Sequence, residues 1–200
     1  MSEARPRWFT DHGDNHASWY IERFRTMARD GADLAGEARF VDAMLPRGSR
    51  VLDAGSGTGR VSAALADRGH TVVGVDVDPE LVEAARADYP GPRFVVADLS
   101  TLDLADEQPF DAAVLAGNVL VFVTPGSEQQ VLTRIAAHVR PDGFLVTGFA
   151  TDRTYQLPAF DADCAAAGLV LEHRFATWDL RPWHDDASWA VTVLRVPMRD

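Results

Sequence analysis

The 200-residue sequence predicts an α/β protein with a doubly wound sheet of seven strands, mainly parallel with an antiparallel final strand. Between about residues 50 and 150, short β-branched segments alternate with segments whose apolar residues recur at helical spacing, which is typical of a parallel sheet covered on both faces. Glycine and proline turns separate these segments. The last two strand segments are joined by a loop alone. A parallel crossover needs roughly a dozen or more residues, so we expect these two strands to pair antiparallel.

Helices are expected before the first strand and between most of the others. The predicted strands span residues 51–53, 71–75, 94–97, 110–116, 144–149, 169–177 and 188–196. The predicted helices span residues 18–29, 34–44, 60–68, 79–89, 128–139 and 158–167. The two helices that precede the first strand predict a helical cap over residues 1–45, followed by the main domain over residues 46–200.

Two of the predicted helices begin with capping signals, and one predicted strand begins after a turn signal. Asp78 precedes a proline, so we expect Asp78 to cap the helix that follows. Ser127 and Gln130 have the spacing of a capping box. Residues 140–143, which read RPDG, predict a turn before the fifth strand.

The composition argues against several classes of protein. A net charge of −11 repels phosphate backbones, so nucleic acid is not expected as a partner. The single cysteine, Cys164, cannot form an internal disulfide. No apolar run approaches the roughly 20 residues of a membrane span, and the first residues lack the apolar centre of a signal peptide. We therefore expect a cytoplasmic protein with no membrane partner; the sequence predicts no oligomeric state.

The strongest functional signal follows the first predicted strand, where residues 51–59 read VLDAGSGTG. Gly55, Gly57 and Gly59 lack Cβ atoms, so the backbone can turn sharply and approach a ligand closely. The start of the next helix would aim free N–H groups at that ligand. A dinucleotide fingerprint needs its third glycine one position later, where this sequence has Arg60.

Acidic residues stand at the carboxyl ends of three successive predicted strands. They are Asp53, Asp76 and Asp98. In open α/β sheets this edge is where ligands bind. Asp76 is placed to accept hydrogen bonds from two vicinal ribose hydroxyls, and Asp98 with Leu99 to contact an exocyclic amine and an adenine ring. The carboxylate of Asp53 would repel a pyrophosphate and attract a cationic group.

Five motifs now stand in order along the chain: DAGSGTG at 53–59, GVDVDPE at 74–80, VADL at 96–99, FD at 110–111 and RPDG at 140–143. With these motifs the sequence resembles the class I S-adenosylmethionine-dependent methyltransferases. The resemblance covers about residues 45–150 and implies a Rossmann-like fold, S-adenosyl-L-methionine as cofactor and methyl transfer. Asp142 departs from the pattern, because the family often has a second glycine there.

The resemblance also implies roles for individual residues. The implied cofactor-binding residues are Asp53, Ala54, Gly55, Ser56, Gly57, Gly59, Asp76, Val77, Asp98, Leu99 and Asn118. The glycine turn would line the methionyl part of the cofactor, and Asp53 would face its ammonium. Asp76 would hold the ribose hydroxyls, and Asp98 would contact the adenine amine. Asn118 would lie near the sulfonium and the methyl acceptor.

The resemblance identifies neither the acceptor nor a catalytic residue. Methylases of exocyclic amines in nucleic acid carry Pro-Pro and an aromatic residue where this sequence has Val-Leu-Val after Asn118, so a small-molecule acceptor is expected. We expect residues 1–30, 119–126 and 178–187 to cover the pocket. The tryptophans of the first and last segments would either line the acceptor site or only pack a lid onto the core.

Two other interpretations stay open at this point. An NAD(P)-dependent oxidoreductase has a related fold, but Arg60 and Asp53 oppose it. The other alternative is a non-catalytic protein that keeps the cofactor pocket as a sensor or scaffold. His12 and His16 have metal-ligand spacing on a helix, but no third ligand is evident and no metal is predicted. His16 and Tyr20 are candidates for a general base.

The same N-terminal region and the glycine turn supply candidate partners for the methionyl carboxylate. They are Arg23, Arg25 and Arg60, each of which is by default a surface charge.

Overall fold

The computed structural model describes residues 5–13, 15–104 and 106–198. Its strands are β1 (Arg50–Ala54), β2 (Thr71–Asp76), β3 (Arg93–Val96), β4 (Phe110–Leu115), β5 (Val139–Ala150), β6 (Val170–Phe175) and β7 (Trp189–Arg195). Its helices are α1 (Arg7–Thr10), α2 (His16–Arg29), α3 (Gly36–Ala43), α4 (Arg60–Ala66), α5 (Pro79–Asp88), α6 (Val119–Phe122), α7 (Glu128–His138) and α8 (Leu157–Ala166). A short 3-10 turn covers Leu99–Thr101.

The strands described form one seven-stranded sheet in the order β3-β2-β1-β4-β5-β7-β6. The pairs β1–β2, β2–β3, β1–β4 and β4–β5 are parallel. β7 lies between β5 and β6 and runs antiparallel to both, so the predicted fold class and the antiparallel final strand are confirmed. The chain winds in one direction from β1 to β3 and in the other from β4 onward, which opens a crevice between β1 and β4 at their carboxyl ends.

Alternation along the strands divides the core between the two faces of the sheet. Leu52 of β1 packs in a cluster with residues of α7 and α8, whereas its neighbour Val51 packs in a second cluster with residues of α3 and α4. Side chains adjacent in a strand point to opposite faces, so these clusters lie on opposite faces of the sheet. The sheet is therefore covered on both sides, as predicted. Among the described helices, none is both long and apolar enough to cross a bilayer.

The start of β5 differs from the sequence prediction. Residues 140–143 were expected to form a turn, but they belong to a twelve-residue strand. Asp142 has a left-handed φ of +60°, and its N–H donates to Val196 O over 2.9 Å. The pairing register of β4 with β5 shifts between Phe110 and Ala112. Residues 140–143 have no partners in the register with β4, so they form an irregular bulge near the start of β5.

The two predicted helix caps had different outcomes. Asp78 precedes α5 and accepts a hydrogen bond from Glu80 N over 2.9 Å, so this prediction is confirmed. The Ser127 side chain makes no capping bond to α7, and its hydroxyl donates to Thr124 O over 2.7 Å. The predicted capping box is therefore wrong: the Ser127 side chain is turned toward the preceding loop and not toward the free N–H groups of the helix.

Candidate active site

The glycine turn between β1 and α4 is held against β2 by its own backbone. The N–H groups of Gly55 and Ser56 both donate to Val75 O, over 2.7 and 2.9 Å. Gly59 has a φ of +81°, and a Cβ there would lie 2.7 Å from Phe94 Cζ. Glycine is therefore required at residue 59 both for its left-handed backbone and for close packing of α4.

Asp53 is buried near the carboxyl end of β1, beside this turn. Its Oδ2 accepts a hydrogen bond from the Ser62 hydroxyl over 2.6 Å. Burial raises the pKa of Asp53 to about 6, and the hydrogen bond from Ser62 opposes that rise. A cation that enters beside Asp53 would favour its ionised form.

Asp76 ends β2 and links the glycine turn to the start of α5. Its Oδ2 accepts from Gly57 N over 2.8 Å, and its Oδ1 accepts from Asp78 N over 3.0 Å. Burial raises the pKa of Asp76 to about 6, while these backbone bonds act in the opposite direction. Asp76 is thus fixed in one orientation at the crevice, with its carboxylate ready to accept from a ligand's hydroxyl donors.

Two further predicted residues lie at the ends of β3 and β4. Asp98 precedes the 3-10 turn, and its Oδ1 accepts from Ser100 N over 2.8 Å and from the Ser100 hydroxyl over 2.7 Å. Asn118 has a left-handed φ of +68°, and its Oδ1 accepts from Ala150 N over 2.8 Å. The side-chain oxygen of Asn118 therefore ties β4 to β5.

Two adjoining cavities occupy the crevice. The outer cavity encloses about 690 Å³, counted out to its open mouth. It is lined by Pro6, Trp8, Tyr20, Gly55, Gly57, Asp76, Val77, Leu81, Asp98, Leu99, Ala116, Gly117, Val119, Phe122 and Val123. The inner cavity encloses about 310 Å³ and is lined by Tyr20, Asp53, Gly55, Ser56, Gly57, Thr58, Arg60, Val61, Ala116 and Gly117. Their mixed apolar and polar lining is typical of a small-molecule site.

The structure brings most of the predicted site residues together. Those that line one or both cavities are Asp53, Gly55, Ser56, Gly57, Asp76, Val77, Asp98 and Leu99. Ala54, Gly59 and Asn118 line neither cavity. Ala54 is fully buried in the core, and Gly59 packs under α5. Their predicted contacts with a cofactor stay predictions.

The N-terminal segment covers the crevice and adds residues that sequence reasoning did not assign to the cofactor site. Trp8 of α1 lines the outer cavity, and its Nε1 donates to Asp78 Oδ2 over 2.6 Å. Tyr20 of α2 lines both cavities. The aromatic content of this segment was the only sequence signal for either residue. Phe122 of α6 completes an apolar wall with Trp8, their rings 6.1 Å apart.

The other predicted covering loop lies elsewhere. No residue of 178–187 lines either cavity. Trp178 packs against Phe40 of α3 with ring centroids 5.6 Å apart, and Trp183 lies beside Arg174. Trp19 is 54% exposed. Of the four tryptophans named for the pocket, Trp8 alone lines it. Trp178 packs onto the core, as the alternative predicted, whereas Trp19 is exposed.

The histidines and arginines singled out in the sequence are partnered within the protein. The rings of His12 and His16 stack with centroids 3.7 Å apart, and no three metal-ligand side chains cluster within the described residues. Arg60 lines the inner cavity but pairs with Glu37 over 2.5 and 2.8 Å. Arg25 pairs with Asp88 over 3.0 Å. Apart from Arg60, the described lining of the two cavities contains no cationic side chain.

Fold and crevice together define a doubly wound α/β protein with a carboxylate-lined crevice where the strand order reverses. The chain matches the family described as a methyltransferase domain over residues 51–143. It is 39% identical to the solved TehB-like S-adenosylmethionine-dependent methyltransferase of Corynebacterium glutamicum, with a TM-score of 0.87 over 92% of this chain and 99% of that chain. The chain therefore belongs to the class I S-adenosylmethionine-dependent methyltransferases, as the sequence motifs predicted.

Two further relatives bear on the extent of the similarity. The 1,6-didemethyltoxoflavin-N1-methyltransferase of Burkholderia thailandensis, solved with its substrate and S-adenosylhomocysteine, is 26% identical, with a TM-score of 0.63 over 92% of this chain and 89% of that chain. An uncharacterized methyltransferase of Mycobacterium tuberculosis is 34% identical over 110 residues, which are 52% of this chain and 42% of that protein. The chain thus matches less than half the length of this curated relative.

Proposed function

We propose that this protein binds S-adenosyl-L-methionine across the two cavities and transfers its methyl group to a small-molecule acceptor. The observation that supports this most is the grouping of three carboxylates, Asp53, Asp76 and Asp98, around one crevice with a side-chain-free glycine turn. S-adenosylmethionine carries a sulfonium and an ammonium, and both suit a site lined by carboxylates.

The residues present fit each part of this cofactor. The ammonium would lie in the inner cavity near Asp53, and the methionyl chain would follow the turn at Gly55 and Gly57. The ribose hydroxyls would donate to Asp76, and Asp98 would accept from the adenine amine. All five residues are already held by hydrogen bonds: Asp53 by Ser62, Asp76 and Gly57 by each other, Asp98 by Ser100, and Gly55 by Val75. Such preorganisation lowers the entropic cost of binding.

Arg60 does not oppose a cationic ligand in the inner cavity. Its guanidinium is neutralised by Glu37, and it also donates to Leu34 O over 2.9 Å. The two cavities are therefore lined by three carboxylates and by one arginine whose charge is already paired within the protein.

Methyl transfer requires little covalent participation by the protein. The cofactor supplies an electrophilic methyl group on its sulfonium. The chain's own residues hold the two reactants in line and exclude water, and positioning of this kind contributes on the order of 7–11 kcal/mol. A general base is needed only when the acceptor atom carries a proton of high pKa. We therefore assign no catalytic base.

The acceptor we propose is a small, apolar or planar molecule without a net negative charge. Trp8, Phe122 and Val123 form an apolar wall on the outer cavity. The described lining offers no unpaired cation to an acidic acceptor. The Burkholderia relative, whose substrate is named in its structure as 1,6-didemethyltoxoflavin, supports a small-molecule acceptor. The net charge of −11 disfavours nucleic acid.

Isothermal titration tests this proposal against its two alternatives. We expect S-adenosylmethionine and S-adenosylhomocysteine to bind with one site per chain, and NADH not to bind. Binding of NADH without S-adenosylmethionine would establish the oxidoreductase interpretation instead. Cofactor binding without release of S-adenosylhomocysteine across a panel of planar amines, phenols and heteroaromatic compounds would favour a non-catalytic cofactor-binding protein.

A further inference from the structure

The two cavities share a set of lining residues that marks the junction between them. Five residues line both cavities: Tyr20, Gly55, Gly57, Ala116 and Gly117. Three are glycines and one is alanine, so Tyr20 is the single shared residue whose side chain extends beyond Cβ. Any ligand that spans the two cavities must pass the Tyr20 side chain.

The inference rests on the proposed function, because it concerns how the cofactor spans this junction. The nucleoside would occupy the outer cavity, which contains Asp76 and Asp98, and the amino acid end would occupy the inner cavity, which contains Asp53. In S-adenosylmethionine the sulfur joins these two parts. The junction is therefore the place where the sulfonium would lie.

The geometry of Tyr20 directs its phenolic end toward this junction. A Cβ on Gly57 would lie 3.6 Å from Tyr20 Cε1 and 3.9 Å from the hydroxyl oxygen, so the far end of the ring reaches the glycine turn. The ring itself is held by Phe24, with centroids 4.7 Å apart, and by Trp8 at 5.5 Å in an edge-to-face arrangement. Both neighbours lie in the N-terminal segment, so α1 and α2 fix the ring as one unit.

The hydroxyl of Tyr20 has no protein partner that competes for it. Within residues 5–13, 15–104 and 106–198, no group makes a hydrogen bond with it. Burial raises the pKa of Tyr20, so the phenol stays neutral at neutral pH. A neutral phenolic oxygen presents lone pairs to a cation while it keeps its proton.

We propose that Tyr20 is a positioning residue for the cofactor, whose phenolic oxygen faces the sulfonium centre and favours the cationic cofactor over its neutral product. The lone pairs attract the positively charged sulfur and the polarised C–H groups of its methyl. The thioether of S-adenosylhomocysteine carries neither the charge nor the methyl group. Tyr20 therefore holds the methyl donor in place before transfer and loses its attraction for the cofactor afterwards.

The test compares the dissociation constants of S-adenosylmethionine and S-adenosylhomocysteine by titration calorimetry on the whole chain. In Tyr20→Phe, which keeps the ring and its packing, we expect the Kd for S-adenosylmethionine to rise about fivefold, whereas the Kd for S-adenosylhomocysteine changes less than about twofold. A residue that only packs the lid would change both constants by the same factor.

A control is available in Tyr155, a tyrosine buried in the core. Its hydroxyl donates to Asp163 Oδ2 over 2.7 Å, and it lines neither cavity. Tyr155→Phe should leave the ratio of the two constants unchanged. Equal weakening of both ligands in Tyr20→Phe, or no change in either, would overturn the inference. Failure of the wild-type protein to bind either ligand would instead contradict the proposed function.

Discussion

The affinity for S-adenosylmethionine should fall steeply when the pH is lowered through 6. Burial raises the pKa of both Asp53 and Asp76 from 3.8 to about 6. The proposed contacts of both residues require a carboxylate, because Asp53 faces a cation and Asp76 accepts from hydroxyl donors. Protonation of either residue removes its contact. Binding near pH 6 should therefore release protons.

The size of the effect follows from these pKa values. A group with a pKa of about 6 is ionised for about 97% at pH 7.5 and for about 10% at pH 5. If binding needs the ionised form, the Kd rises by a factor of about 10 for each carboxylate over this interval, and by about 100 for both.

The contribution of these two carboxyl groups to protein stability increases as the pH falls, whereas the affinity for the cofactor decreases. The two effects can therefore be told apart. A folded-state pKa raised above the unfolded value means that the folded protein binds more protons between about pH 4 and 6. The contribution of Asp53 and Asp76 to the free energy of unfolding therefore increases as the pH falls through this window. Acidification to pH 5 should weaken the binding of the cofactor without unfolding the protein through these groups.

Titration calorimetry at pH 7.5, 6 and 5, in two buffers with different ionisation enthalpies, measures both the Kd and the number of protons released. Asp53→Asn removes one of the two titrations and should reduce the change in Kd to about tenfold. Equal Kd values at pH 7.5 and pH 5 in the wild-type protein, with no proton release at pH 6, would refute the reasoning.

Two further predictions concern the glycine turn and the N-terminal cap. Gly59→Ala adds a Cβ 2.7 Å from Phe94 Cζ at a left-handed residue and should lower the free energy of unfolding by about 3 kcal/mol in urea denaturation. Gly31 also has a left-handed backbone but open space around it, so Gly31→Ala should lower the free energy of unfolding by only about 1 kcal/mol. An equal loss of stability in Gly59→Ala and Gly31→Ala would contradict the packing argument. Trp8→Phe removes the hydrogen bond from the indole to Asp78, which contributes about 1.5 kcal/mol. Amide hydrogen exchange in α1 should therefore become about tenfold faster. Unchanged exchange would show that this bond does not hold α1 against the main domain.

The sequence predicted the parts of the site that depend on local order along the chain. Asp53 and Asp76 lie near the carboxyl ends of β1 and β2, and Asp98 follows β3 by two residues. Parallel strands that pair in register bring these ends to one edge. The cap at Asp78 was likewise predictable, because its acceptor and the Glu80 N–H are two residues apart. Short-range patterns therefore sufficed for the fold and for the carboxylate-lined half of the crevice.

The remaining contacts depend on which distant segments meet, and residue spacing carries no such information. Trp8 reaches Asp78 across 70 residues, and Arg60 pairs with Glu37 across 23. The loop at 178–187 has the aromatic content of a pocket cover, but Trp178 finds a better apolar partner in Phe40 of α3. The aromatic composition predicted that these segments pack against the rest of the protein. Which surface each segment covers is decided by the tertiary fold.

The central claim is that one crevice at the carboxyl ends of β1 to β4 holds the whole cofactor, from the adenine at Asp98 to the amino acid end at Asp53. A crystal structure of the protein with S-adenosylhomocysteine tests this most directly. The account predicts ribose hydroxyls within hydrogen-bonding distance of Asp76 and the thioether sulfur at the junction beside Tyr20. Ligand density outside these two cavities, or in the reverse orientation within them, would contradict it.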